Sequence, residues 1–345
     1  MALTRRKTLC GLALAAATAF AGPGFGQTVE EFYSDKDVTM MVSAPAGTLT
    51  DTIVRQFAQH YVKHIPGQPD AIVLNVAGAG GMVAAASLQS KQDNDGSVIG
   101  FLQRNNLYVP LLDPGQSAFD PREVTWLGSL DKVYYALVGM TRSGVTTAED
   151  LFETPLVIGA TGFANENRTM PALVNDYLGT RMKIIPGYSG RGEVYLAMER
   201  GEVDGWASTV DGLFQGEPVN MLADGSMNVL LHLGWTSHPA FPDVPNLKPY
   251  VTDPEVRALL DFFLLPLQAG RPFAVPAGVP QDRVDALRAA FDATMADPDF
   301  LAAMKAQNYG VDPISGGEVE QIIETLWATP AAQLDTVRQV VTPQG

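Results

Sequence analysis

Apolar runs alternate with amphipathic stretches along most of this chain, and small-residue turns fall where one gives way to the other. VTMMV (Val38–Val42) runs into SAPAGTLTD, and TIVRQFAQHYVKHI follows with Ile53, Phe57 and Tyr61 at helical spacing. IVLNV then runs into AGAGG, and the Ala-rich MVAAASLQSK follows. Two strand–loop–helix units in succession predict parallel strands with helices packed on the sheet. SVIGFLQRNNLYVPLL reads as a third strand ending in a polar turn at Arg104-Asn105-Asn106, after a turn at Asp93 to Gly96.

The rhythm resumes at PLVIGATG (Pro155–Gly162), a buried-strand pattern ending in a small-residue loop. FANENR follows, then a helix through MPALVNDYLG that Gly179 stops. MKIIPGYSGRGEVYLAMERGEVDGWAS repeats the scheme, with a short strand at Val203 to Ala207, and MNVLLHLGW is another strand. His238 to Pro254 is rich in Pro and Asp and reads as loop. RPFAVPAGVP leads into an amphipathic helix carrying Val284, Leu287, Phe291 and Met295, with further helices over Pro298 to Gln307 and Gly317 to Ala328. Trp126 to Met140, apolar throughout most of its length, is expected to carry the chain from one domain into another. The class is α/β, with halves beginning at Val38 and Leu156 that have two sheets of related design.

In an open α/β sheet, ligands collect outside the carboxyl ends of the strands. Helix N-termini there offer unpaired N–H groups and a positive dipole end, which suit an anion. Gly78, Gly80 and Gly81 let a ligand approach the backbone with no Cβ in the way. The first two loops therefore read as half of a binding site for a small acid.

With 345 residues the chain exceeds one compact core and suits two domains, and its 46% hydrophobic content without a long polar tract makes it globular. Residues 1–27 have Arg5, Arg6 and Lys7, then LCGLALAAATAFA, then small residues, the pattern of a secretory signal peptide. Thr4-Arg5-Arg6 also resembles a twin-arginine signal, although Thr8 departs from it, so the Sec and Tat routes both stay open. The one cysteine, Cys10, falls in this leader, so the mature chain has no disulfide, thiol nucleophile or thiolate metal site. Removing the leader's three basic residues takes the formal charge from −15 to −18, which argues against nucleic acid or an anionic membrane surface as partner. No other run is long and apolar enough to span a bilayer, and a soluble periplasmic product is expected.

Several motifs fall short of catalytic or cofactor chemistry. AGAGGMV follows a strand as a dinucleotide fingerprint does, but Val83 stands where a third Gly or Ala belongs and no acidic residue caps a strand about twenty residues on. GYSGR has Arg191 where a nucleophile elbow needs Gly, so Ser189 reads as a turn or ligand-contact residue. His60 and His64 are four apart, but Tyr61 replaces the glutamate of a metalloprotease, and they read as an exposed pair on a surface helix. Asp51 suits an N-cap or first turn, and Arg55 one turn later suits a carboxylate partner. Arg104, Arg168 and Arg191 each lie near a loop where an acid would be met, and Trp206 belongs to the core or stacks on the ligand. No metal and no cofactor are expected.

Taken together, the Thr50-Asp51 pair with Arg55, Asn75 with AGAGG, and GATG at Gly159 to Gly162 form an ordered set. GYSGRGEVYLAMERGEVDG, FPDVP at Phe241 to Pro245 and PAGVP at Pro276 to Pro280 continue it. On these motifs the chain resembles the periplasmic solute-binding proteins of tripartite tricarboxylate transporters, the Bug or TctC-like family, over nearly all of its mature length. The resemblance implies a periplasmic-binding-protein-like fold: two α/β domains joined by crossing strands, with a carboxylated ligand closed in the cleft between them. Residues 28–129 plus 249–345 would form domain 1 and residues 130–248 domain 2.

The family's binding loops carry over onto Ala46, Gly47, Thr48, Leu49, Thr50 and Asp51, and onto Asn75, Gly78, Ala79, Gly80 and Gly81. In the second domain they carry over onto Thr161, Asn165 and Asn167, and onto Tyr188 and Ser189. The first-domain backbone would hold one carboxylate and the second-domain residues would read the remainder. One departure matters: the family's first loop is commonly a run of glycines before Thr-Asp, whereas this chain has PAGTLTD, so ligand identity is not inherited. Hinge closure, a monomeric state and integral membrane transporter subunits as partners follow from the resemblance. A ligand carrier for a sensor, or a periplasmic enzyme acting on a small acid, are the alternatives.

Overall fold

The computed structural model describes residues 27–341 apart from 113, 114, 116 and 162–164. The expected leader, except Gln27, and Phe163 thus lie outside the described residues. Strands β1 (Val38–Val42), β2 (Ala71–Asn75), β3 (Val98–Phe101) and β4 (Val124–Ser129) begin a first sheet. A second sheet takes β5 (Tyr135–Met140), β6 (Leu156–Gly159), β7 (Met182–Ile185), β8 (Gly205–Thr209) and β9 (Met227–His232). β10 (Pro272–Pro276) and β11 (Ile314–Ser315) return to the first. The strand orders are β11-β4-β10-β3-β1-β2 and β7-β6-β8-β5-β9.

The two sheets share a plan. β1 pairs in parallel with β2 and β3, and β6 pairs in parallel with β7 and β8. In both, the first strand of the unit lies in the middle, which is why VTMMV and LVIG are nearly continuous apolar runs. β2, at the sheet edge, alternates instead, and leaves Ile72 and Leu74 half exposed. β10 enters antiparallel between β3 and β4, so the first lobe is completed only after the chain has built the second. The apolar stretch Trp126 to Met140 is two strands, β4 and β5, in different sheets, with residues 130–134 crossing between them.

That crossing is tied to the returning chain. Asp131, 2% exposed, accepts hydrogen bonds from the guanidinium of Arg271 and the hydroxyl of Tyr309, and its carbonyl accepts from Gly270 N–H at 2.9 Å. Asp211, at the start of the second lobe's helix Val210–Leu213, is pushed up to about 6 by burial and by the charge of Asp131, against the pull of Arg271.

The helix Leu49–Tyr61 starts earlier than its apolar spacing predicts. Thr48 caps it, its hydroxyl accepting from Asp51 N–H at 3.3 Å, so Leu49, Thr50 and Asp51 form a first helical turn rather than loop. Phe57 packs 4.4 Å from Phe273 and 4.8 Å from Tyr61, ring centre to ring centre, at the centre of the first lobe's core. Truncating such a ring costs about 3–5 kcal/mol. His60 and His64 are not an exposed pair. His60 is 7% exposed, and its Nδ1 lies 3.2 Å from the Asp297 Oδ2 that His64 Nε2 approaches at 3.3 Å. Asp297 caps the helix Pro298–Ala306, whose packing across this face covers the histidines. The second-lobe strand expected at Val203 to Ala207 is β8, two residues later. Helices Val29–Ser34, Pro254–Leu264 and Ala331–Val341 lie outside the sequence expectation.

Candidate functional site

A cleft of about 480 Å³ opens at the carboxyl ends of β1, β2 and β3 and faces the start of the second-lobe helix Glu166–Leu178. Ser43, Ala44 and Pro45 follow β1 into it, Ala77 to Gly81 follow β2, and Gln103, Arg104, Asn105 and Tyr108 follow β3. Tyr135, Asn165, Glu166 and Asn167 complete the lining from the other side. A second cavity of about 440 Å³, walled by Val133, Leu233, Trp235, Leu264 and Leu267, lies against the crossing segments and carries none of these loops.

The turn after β2 has four consecutive positive φ values: 134° at Gly78, 46° at Ala79, 62° at Gly80 and 93° at Gly81. Three glycines make that path accessible. The Asn105 and Asn106 side-chain amides donate to Gly80 O at 3.1 and 3.3 Å and pin the turn. Gly81 then caps the helix Met82–Lys91, whose first residue Met82 donates its N–H back to Ala79 O, so the cleft wall here is the turn itself, Ala77 to Gly81. Beside it is Ser43, 4% exposed. Its N–H donates to Phe101 O and its carbonyl accepts from Gln103 Nε2, but its buried hydroxyl has no partner. Buried hydroxyls are ordinarily paired, and one left open on a cleft is a ready donor to a ligand.

The loop after β1 is braced from behind. Asp51 accepts from Gly47 N–H at 2.8 Å and from Asn75 Nδ2 at 2.9 Å, and pairs with Arg55 at 3.0 Å. Asn75 also donates to Ala44 O at 3.0 Å and accepts from Arg55 at 2.9 Å. Burial alone would raise the Asp51 carboxyl, but the hydrogen bonds from Arg55, Gly47 and Asn75 outweigh it and bring it to about 2. These residues shape the loop without lining the cleft.

Across the cleft, Thr161, Asn165 and Asn167 form one network. Asn165 and Asn167 donate to Thr161 Oγ1 at 2.6 and 2.9 Å, and Thr161 N–H donates to Asn167 Oδ1 at 3.0 Å. Among the described lining residues the charged groups are those of Arg104 and Glu166, and they are paired. Arg104 Nε donates to Glu166 Oε1 at 2.8 Å, an Nη donates to Oε2, and Tyr135 Oη donates to Oε2 at 3.1 Å. Burial works against the guanidinium's charge, but Glu166 outweighs it and holds Arg104 protonated. Burial, with the Glu166 charge adding to it, pushes the hydroxyls of Tyr108 and Tyr135 well above their usual range.

Of the sixteen residues that the sequence singles out, Gly78, Ala79, Gly80, Gly81, Asn165 and Asn167 line the cleft. Thr161, Asp51 and Asn75 act through hydrogen bonds from behind it, and Thr48 caps a helix. Leu49 packs against the first lobe's core, and Ala46, Gly47 and Thr50 do not line the cleft. Ser189 is engaged by Glu193, which accepts from both its N–H and its hydroxyl at 2.6 Å, and the Tyr188 ring lies against Gly159. Arg55 and Arg191, both exposed, are engaged by Asp51 and by Gly212 O, and Trp206 is buried in the second lobe. Sequence reasoning misses Gln103, Asn105, Tyr108 and Tyr135, and it covers Ser43 and Glu166 only as members of the expected binding loops SAPAGTLTD and Thr161 to Asn167, without singling them out. Ser43 directly follows an apolar strand and the Arg104-Asn105 turn directly follows another, so the strand-end rule alone would have found them.

No protein-family model matches the sequence. Over 181 residues the chain is 28% identical to the UPF0065 protein in the TAR-I ttuE-ttuC' intergenic region of Agrobacterium vitis, and it spans about half (51%) of that relative's length. A TctC solute binding protein from Polaromonas superposes with a TM-score of 0.68 at 21% identity, covering 90% of this chain and 99% of that one. The chain has the TctC-type solute-binding-protein fold.

Two further structures of this TctC-type fold carry ligands. MatC from Rhodopseudomonas palustris with bound malate has a TM-score of 0.59 at 19% identity, covering 89% of this chain and 99% of that one. An R. palustris protein with adipate has a TM-score of 0.64 at 16% identity, covering 89% and 97%. Among the described residues no helix is long and apolar enough to cross a membrane.

Proposed function

We propose that this chain is an extracytoplasmic solute-binding protein of the Bug or TctC-like kind. It captures a small organic carboxylate and delivers it to the membrane subunits of a tripartite tricarboxylate-type transporter. The observation that carries this reading is a cleft between two lobes, lined by the positive-φ Gly78–Gly81 turn and by Ser43, whose buried hydroxyl has no partner within the protein. A donor without an acceptor is what a carboxylate satisfies. The malate and adipate in similar folds support the ligand class.

Residues 28–129 with 249–345 act as one domain and residues 130–248 as the other, moving about the crossing segments. Closure brings Asn165 and Asn167 onto a ligand first met by Ser43 and the Gly78–Gly81 turn. The chain works as a binder rather than an enzyme: Ser43 has no base beside it, and the one lining carboxylate is committed to Arg104 and Tyr135. Export by the N-terminal leader places it in the periplasm as a monomer. A thermal-shift and calorimetric screen over mono-, di- and tricarboxylates tests the reading. Saturable binding of an unaltered acid is expected, and conversion of the acid to product would overturn it in favour of an enzyme.

A further inference from the structure

The cleft contains a carboxylate of its own. Glu166 engages Arg104 through both carboxylate oxygens and accepts from Tyr135 as well, with the Arg104 and Glu166 side chains each only 16% exposed. Arg104 comes from the first lobe, after β3, and Glu166 is the first residue of the second lobe's thirteen-residue helix Glu166–Leu178. The arginine, which would ordinarily attract an anion, is therefore already served by a side chain of the protein, one that itself places a negative charge in the first turn of its helix. Among the described residues no other cation lines the cleft, and Arg55 is held behind it by Asp51 and Asn75.

Across from that pair lie Ser43, whose hydroxyl has no partner within the protein, and the Gly78–Gly81 turn. Elsewhere the cleft presents the amides of Asn105, Asn165 and Asn167, which are neutral. A ligand filling a space of about 480 Å³ reaches from that side toward Glu166, where a second carboxylate would meet one already in place and be repelled.

Resting on the carboxylate-capture reading, we infer that Glu166 makes this cleft selective for monocarboxylates. The acid's one carboxylate is held at Ser43 and the Gly78–Gly81 turn. Its far end carries neutral hydrogen-bonding groups toward the asparagines, and a second carboxylate is rejected by Glu166. Glu166 is thus a specificity-determining residue.

Length-matched pairs that differ in one end group test this on the full-length mature protein: succinate against succinamate, glutarate against 5-hydroxypentanoate, and adipate against 6-hydroxyhexanoate. Calorimetry on the wild type should give the monocarboxylate of at least one pair an affinity tenfold or more above its dicarboxylate, equivalent to about 1.4 kcal/mol. Glu166→Gln, and separately Glu166→Ser, should erase that preference by freeing Arg104, raising dicarboxylate affinity at least tenfold. Thermal unfolding identifies whichever variant remains folded. Equal or tighter binding of the dicarboxylate by the wild type overturns the inference while leaving carboxylate capture standing. So does a preference that persists in a folded Glu166 variant. Binding of no acid of either kind, by wild type or variants, overturns both readings.

Discussion

Asp51 Oδ1 accepts a hydrogen bond from Asn75 Nδ2 at 2.9 Å, joining residues 24 positions apart at the ends of neighbouring strand–helix units. Asn75 is the last residue of β2 and Asp51 lies in the first turn of the helix that follows β1. Together with Arg55 they fix the loop between them. Asn75→Ala should destabilise by roughly 1–3 kcal/mol in urea unfolding, since it takes a donor from the buried Asp51 carboxylate and Ala44 carbonyl, and Asp51→Ala, whose partners are half-buried or exposed, should cost less. The double variant should lose less than the sum, because both changes break one network.

The same network sets an acid limit. Asp51 and Asp297 both lie at about 2, below the ordinary aspartate value, Asp51 through Arg55, Gly47 and Asn75 and Asp297 through Asp299 N–H and the two histidines, in each case against burial. Their contributions are full above the unfolded-state value near 4 and vanish as pH falls through about 2. Asp51→Asn should flatten the stability profile between about pH 4 and 2, as read by thermal unfolding across that range.

Asp211 runs the other way. Its folded-state value of about 6 lies above the unfolded one, so its ionisation costs stability as pH rises from about 4 through 6. Asp211→Asn removes that cost, and should stabilise the protein at pH 7–8 by an amount on the order of 1–3 kcal/mol, with little effect near pH 4. Denaturant unfolding at the two pH values checks it. A loss of stability at pH 8 would mean that Asp211 is held charged by Arg271.

Ser43→Ala separates binding from folding. Its hydroxyl is buried without a partner, so its removal should leave stability unchanged or slightly raised. Acid affinity should nonetheless fall by roughly 1.5–3 kcal/mol, the range for a hydrogen bond to a charged group. Calorimetry and thermal unfolding on one preparation give both numbers. Unchanged affinity would remove Ser43 from the site.

The turn after β2 tolerates no side chain. A Cβ on Gly81 would come 2.7 Å from Gln103 Cγ at a φ of +93°, and one on Gly80 would come 3.1 Å from Asn105 Nδ2 at +62°. Gly81→Val should abolish acid binding and Gly80→Val should weaken it by at least tenfold, measured by calorimetry on protein shown by circular dichroism to be folded. Wild-type affinity in both would place the anion elsewhere.

Closure is the remaining expectation. Saturation with a bound acid should reduce the radius of gyration measured by small-angle scattering, as the lobes turn about residues 130–134 and the returning chain at Arg271. An unchanged radius at saturation would mean that the cleft binds without hinge motion.

The amino-acid pattern alone determined the class of this protein, because strand and helix periods are local properties. The middle strand of each unit is apolar on both faces, the edge strand alternates, and loop glycines mark the points where the chain turns toward a ligand. The Gly78–Gly81 turn was legible for that reason. The start of the helix at Leu49 was not, because Thr48 competes with the preceding glycine-containing loop and wins through its hydrogen bond to Asp51.

Only the tertiary structure decided which polar groups are already spent. Arg104 and Glu166 are 62 positions apart, and His60 and Asp297 are 237 apart. No local spacing announces such partners, since a side chain's hydrogen bonds depend on what folding brings beside it. For the same reason Asp51, Asn75 and Ser189 read as candidate ligand contacts in the sequence and are engaged by other residues of the chain in the fold, while Ser43, one unremarked member of an expected binding loop, has a hydroxyl without a partner. The sequence carries the donors, and their availability is a property of the packed chain.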